Sequence, residues 1–117
     1  MINIDLYYNN QKQLCRFTLA GHAGYADHGQ DIVCAAVSMI VFNTINSIDL
    51  LTKETLSLNQ DEAKAYIDCS FPDISTNKGS KEASLLLKSM ELGLKDIEKQ
   101  YGEYIQINTK KDSSGGE

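Results

Sequence analysis

The chain has 117 residues, of which 42% are hydrophobic, so a single domain can bury a core without disulfides or a structural metal. Its 16 acidic against 11 basic side chains give a net charge of −5, and no run of Lys and Arg forms a stripe that could track phosphates, which argues against direct nucleic-acid binding. Three cysteines, an odd number, fit reduced thiols rather than a disulfide framework.

The chain opens Met1-Ile2-Asn3-Ile4-Asp5, with no basic segment leading into an uninterrupted apolar stretch. No secretory signal is expected, and the cytoplasm is the expected compartment. Ile2, Ile4, Leu6 and Tyr8 alternate with Asn3, Asp5 and Tyr7 as in a half-buried strand, and Asn9-Asn10-Gln11 supplies turn residues. The return strand places Cys15, Phe17 and Leu19 on one face, opposite Leu14, Arg16 and Thr18, so Cys15 reads as core. Residues 32–51 contain neither Gly nor Pro and predict a long helix, with Asp31 as its N-cap and Cys34 in its first turn. Apolar side chains surround most of this helix, which predicts a sheet on one side and a helix or second subunit on the other. Ser38, Asn43, Thr44, Asn46, Ser47 and Asp49 interrupt the run and argue against a membrane span.

Leu56 and Leu58 predict a short third strand, residues 59–62 a turn, and Ala63, Ala65, Ile67, Cys69 and Phe71 one face of a fourth strand that Pro72 ends. Cys69 is then a second core thiol. A polar segment over 73–80 leads to a second helix with Leu86, Met90, Leu94, Ile97 and Tyr101 on one face, stopped by Gly102. Ile105 and Ile107 predict a last strand, and 110–117 a disordered polar tail. The order β-β-α-β-β-α-β is that of an α+β fold in two layers, with two helices on a mainly antiparallel five-stranded sheet, in one domain over residues 1–109.

Chemistry concentrates between Gly21 and Cys34. A cysteine in the first turn of a helix sits among unpaired N–H groups that favour its thiolate, the attacking species, and those amides, that of Cys34 among them, are candidate oxyanion donors. A helix end contributes about 0.3–1 kcal/mol, up to ~2 when partly buried, against about 1.4 kcal/mol per pKa unit. Starting near 8.5, the thiol therefore still needs an imidazole to take its proton. The chain's two histidines, His22 and His28, both lie in this segment, and spacing alone does not choose between them.

Asp31 is either a cap or a third catalytic group; a carboxylate beside Cys34 disfavours the thiolate while favouring the imidazolium. Ser38, one turn beyond Cys34, either hydrogen-bonds toward the site or back-bonds to its own helix. Gly24, Tyr25, Ala26, Asp27, His28 and Gly29 form either a fixed turn or a lid that closes on substrate. No Gly-Lys-Ser/Thr follows, so the glycines do not make a phosphate loop. The rival from another class is a metal-binding module using His22, Asp27, His28, Asp31 and Cys34, although paired Cys-x-x-Cys or His-x-x-x-His units are missing.

Gly21-His22-Ala23, a short variable loop, and Gly29-x-Asp31-Ile32-Val33-Cys34-Ala35-x-x-Ser38 resemble the bacterial ribosomal-processing cysteine protease family, Prp. The alternating first strand, Thr76-Asn77 ahead of the second helix, and Ile97-Glu98-x-x-Tyr101 through Ile105 to Asn108 extend the resemblance over residues 1–110. It implies Cys34 as nucleophile and His22 as its partner, with His28 in the variable loop, and it calls for no cofactor or metal. It also implies a cytoplasmic homodimer that removes a short N-terminal extension from a large-subunit ribosomal protein. The acidic surface suits such a basic partner. A ribosome-assembly binding protein without catalysis is the remaining alternative, and it gives no reason for a reactive Cys34.

Overall fold

A computed structural model of the chain describes residues 1–21 and 28–113, apart from the side chains of 28–30. In chain order it contains β1 (Ile2–Tyr8), β2 (Leu14–Ala20), α1 (His28–Leu51), β3 (Ser57–Asp61), a 3-10 turn (Glu62–Lys64), β4 (Tyr66–Ser70), α2 (Pro72–Ser75), α3 (Lys81–Gln100) and β5 (Ile105–Lys111). The strands form one sheet in the order β3-β4-β2-β1-β5. All neighbours are antiparallel except β1 and β5, which are parallel. The expected α+β architecture is therefore present, with α2 as an additional short helix.

Register carries an apolar row across the sheet: Ile107 pairs with Ile4, Ile4 with Leu19, and Leu19 with Ile67, until the row ends at Gln60 on β3. On that face Val33, Val37, Val41, Ile45 and Ile48 of α1 and Ala83, Leu87, Met90 and Leu94 of α3 join the strand residues in one buried cluster. Spacings of three and four bring each set onto one helical stripe. Asp31–Leu51 is long and apolar enough to cross a membrane by length and composition, but this stripe lies in the core of the sheet.

Several local expectations are corrected. The pairing shifts between Tyr7 and Tyr8, so Leu14 and Cys15 are both buried where strict alternation separates them. β3 continues through Asp61, and the turn falls at Glu62–Lys64, where Asp61 caps the backbone and Ala65 adopts a left-handed φ of 47°. Ala63 and Ala65 thus belong to the turn, not to a strand face. Pro72 initiates α2 as a first-turn proline does, and α3 starts only after Ser80, whose hydroxyl accepts the Ala83 N–H at 3.0 Å. Thr76-Asn77 therefore belongs to the end of α2, and the buried stripe of α3 runs through Ala83 and Leu87 rather than to Tyr101, which follows the helix and is 42% exposed. β5 extends to Lys111, and the buried Asp112 donates its N–H to the Tyr8 carbonyl at 2.9 Å, so the ordered chain passes the expected tail boundary at 110. Residues 114–117 lie outside the described residues.

Candidate active site

The site occupies the end of the sheet where β2 leaves for α1. Gly21, the first residue after β2, has φ +104°, and a Cβ there would overlap the backbone carbonyl oxygen of Met1. Only glycine fits both constraints, and the next residue in the sequence is His22. His22 and residues 23–27, with the side chain of His28, lie outside the described residues. The lid expected from Gly24, Tyr25, Ala26, Asp27, His28 and Gly29 falls there too, apart from the backbone of the last two.

α1 begins at His28, before the expected cap, so Asp31 is its exposed fourth residue and Cys34 its seventh. The helix runs through Gly29 although glycine in a helix interior is about 1 kcal/mol worse than alanine. Two consequences follow. The Cys34 N–H enters the i→i−4 ladder toward Gln30 and is not an orphan oxyanion donor. The helix-end field, which fades within the first turn, also acts less on its sulfur than first-turn placement implied. A cysteine at this position needs a base to become the attacking thiolate.

Cys34 is half-buried and opens onto a cleft of about 420 Å³. One wall is α1, with Cys34, Ser38 and Phe42 in succession; Leu19 and Ile67 supply apolar surface; and the β3–β4 turn closes the other side with Asp61, Glu62 and Tyr66. Among the described residues the lining holds two carboxylates and neither Lys nor Arg, a bias that favours a cationic ligand. Asp61 Oδ1 also accepts the Lys64 N–H at 3.3 Å, which holds the turn in place.

The other two thiols have a different environment. Cys15 and Cys69 are both 0% exposed. Burial pushes the Cys15 thiol up to about 11 and that of Cys69 up to about 12, with the Asp68 charge adding to the latter. Both stay protonated near neutral pH and out of reach of a substrate. Ser38 differs from its neighbours in the same way. Thr44 and Thr52 donate back to the Ile40 and Ile48 carbonyls at 2.7 Å each, whereas Ser38 makes no such bond among the described residues and faces the cleft.

Among the described residues no three His, Cys, Asp or Glu side chains gather as metal ligands. Of the five considered from the sequence, only Asp31 and Cys34 have described side chains. Sequence reasoning missed Phe42, Asp61, Glu62 and Tyr66. Phe42, eight residues beyond Cys34 along the same helix, was open to discovery from spacing. The turn residues were not, because only the pairing of β4 with β2 brings them across from Cys34.

The model of a family described as cysteine protease Prp matches residues 1–106. A ribosomal processing cysteine protease Prp of Staphylococcus aureus is 34% identical over 110 residues, covering 94% of this chain and all of the relative. The crystal structure of an essential ribosomal processing protease Prp from S. aureus in complex with a substrate peptide superposes with a TM-score of 0.84 at 32% identity, over 94% of this chain and 100% of that one. A second crystal structure of that protease, with a covalently linked product peptide, gives a TM-score of 0.81 at the same identity and coverage.

Proposed function

This chain belongs to the cysteine protease family Prp, and on that premise we propose that Cys34 is its nucleophile, His22 its general base and acid, and the short N-terminal extension of a large-subunit ribosomal protein its substrate. The observation that carries the assignment is the contrast among the thiols: Cys34 lines a cleft, while Cys15 and Cys69 are sealed in the core. His22 takes the thiol proton, and the thiolate adds to the scissile carbonyl. The tetrahedral intermediate collapses to a thioester as His22 protonates the leaving amine. Water then adds with His22 again as base, which releases the carboxylate product and restores the thiol.

With the Cys34 amide engaged in its helix, Ser38 is the supporting donor toward the developing oxyanion, on the strength of a hydroxyl one turn away that lines the cleft and makes no bond among the described residues. Asp31 serves as a supporting charge that favours the imidazolium. The segment ahead of α1, residues 24–27, acts as the gate between base and nucleophile, the last two residues of the expected 24–29 lid being the first of α1. The chemistry uses neither metal nor cofactor, and one catalytic domain carries it.

The enzyme works as a cytoplasmic homodimer without direct nucleic-acid contacts. Ile32, Met39 and Leu50 are 48%, 70% and 80% exposed along α1, with Leu85 and Leu92 exposed on α3, an apolar surface of the kind a second subunit covers. The decisive experiment incubates the purified protein with the N-terminally extended ribosomal protein and weighs the products. A single cut removing the extension, absent with Cys34→Ala, is the expected result. No cut, with Cys34 no more reactive toward iodoacetamide than a free thiol, would leave a non-catalytic assembly protein instead.

A further inference from the structure

The wall of the cleft formed by α1 has a measurable length. Cys34, Ser38 and Phe42 line it at successive intervals of four residues, so Phe42 stands about 12 Å along the helix axis from the nucleophile. An extended peptide advances about 3.3 Å per residue, so that distance spans about three to four substrate residues. Phe42 is partly buried and packed against the core, which fixes its ring. Leu19 and Ile67 line the same cleft, so a side chain that enters it meets apolar surface besides the Phe42 ring.

We propose that Phe42 forms the end wall of the cleft and sets the size of the substrate side chain accepted three or four residues from the scissile bond, on the acyl side. This rests on the peptidase reading above and deepens it. The acyl side is assigned because that portion stays attached to Cys34 as the thioester after the amine departs. Contacts made there act through both chemical steps, whereas contacts to the leaving portion are lost after the first. A rigid aromatic ring at this distance rejects bulk there without touching the reacting atoms, so Phe42 is a specificity-determining residue rather than a catalytic one.

The test pairs a larger substrate with a smaller wall. Synthetic peptides spanning the extension and cleavage site of the ribosomal protein carry Trp at each of the first four acyl-side positions in turn. Their kcat/KM is measured with the parent protein, Phe42→Ala and Phe42→Leu. With the parent, Trp at the third or fourth position is expected to lower kcat/KM by about tenfold or more, mainly through KM. Phe42→Ala should recover most of that loss, and Phe42→Leu part of it. Trp at the first or second position should gain nothing from either variant. Thermal unfolding and the iodoacetamide rate of Cys34 establish that each variant is folded with its site intact, and Phe42→Leu preserves an apolar core contact if Phe42→Ala unfolds. The proposal is overturned if neither variant rescues Trp at the third or fourth position, or if rescue falls on the first. A parent protein that cuts no peptide at all overturns the peptidase reading and this inference with it.

Discussion

The two ends of β2 are built on opposite principles. At its start, the turn from β1 is closed by Asn9, only 5% exposed, whose Oδ1 accepts the Gln11 and Gln13 N–H groups at 2.9 Å each. Its Nδ2 donates to the Ile74 carbonyl at 2.7 Å, which ties the turn to α2. At the other end of β2, the chain leaves through Gly21 beside a cleft that exposes a thiol and carries two carboxylates on its lining. Buried polar groups that are fully hydrogen-bonded define one conformation. An open cleft leaves capacity for a ligand. With the proposed site at the cleft, stability and chemistry sit at opposite ends of one strand, and substitutions should separate them.

The largest effect is expected at the cleft. Cys34→Ala should reduce cleavage by at least about a thousandfold while leaving the denaturant midpoint unchanged. Residual turnover within tenfold of the parent would remove Cys34 from the nucleophile's role. Gly21→Ala comes next and should affect both properties. A Cβ at φ +104° against the Met1 carbonyl is expected to destabilise by about 2 kcal/mol or more. By displacing the chain just before His22, it should also lower kcat/KM by about a hundredfold in protein that is still folded. Urea titration and kinetics at a temperature well below the transition distinguish the two effects.

Asn9→Ala sharpens the contrast from the other side. It leaves the Gln11 and Gln13 N–H groups without their acceptor and takes one donor from the Ile74 carbonyl, which keeps the Asn77 N–H at 3.0 Å, and it should destabilise by about 1–3 kcal/mol, yet kcat/KM of the folded fraction should stay within twofold. A large loss of turnover would show that the two ends are coupled.

The smallest effect concerns alkaline pH. Cys15 and Cys69 ionise at about 11 and 12 when folded, against 9.0 for an unperturbed thiol. Above 9 the unfolded chain releases these protons while the folded one keeps them, so their contribution is intact below 9 and is lost as pH rises toward 11 to 12. Melting temperatures from pH 8 to 11 should fall more steeply for the parent than for Cys69→Ala, although that variant starts lower. Equal slopes would show that the buried thiols do not drive the decline.

Much of this arrangement was legible in the chain because its signals are local. Alternation in Ile2, Ile4 and Leu6 is a two-residue period, and the α1 stripe of Val33, Val37 and Val41 a helical one, so β1, β2, α1, α3 and β5 could each be placed from neighbours alone. The thiol proposed as nucleophile is marked by a local signal too: Cys34 lies near the start of the apolar run from Ile32, close behind the chain's two histidines. Tertiary contacts decided the rest. α1 starts at His28 rather than after Asp31, a boundary the capping pattern at Asp31 did not give, which moves the Cys34 amide into the helical ladder. Leu14 and Cys15 are both buried because pairing with β1 shifts at Tyr7 and Tyr8, a property of two strands together. The cleft depends on contacts distant in sequence, since Leu19 must pair with Ile67 before the Asp61 and Glu62 turn can face Cys34. Periodicity reports which face of an element is apolar, but what stands opposite that face depends on which distant segment packs there.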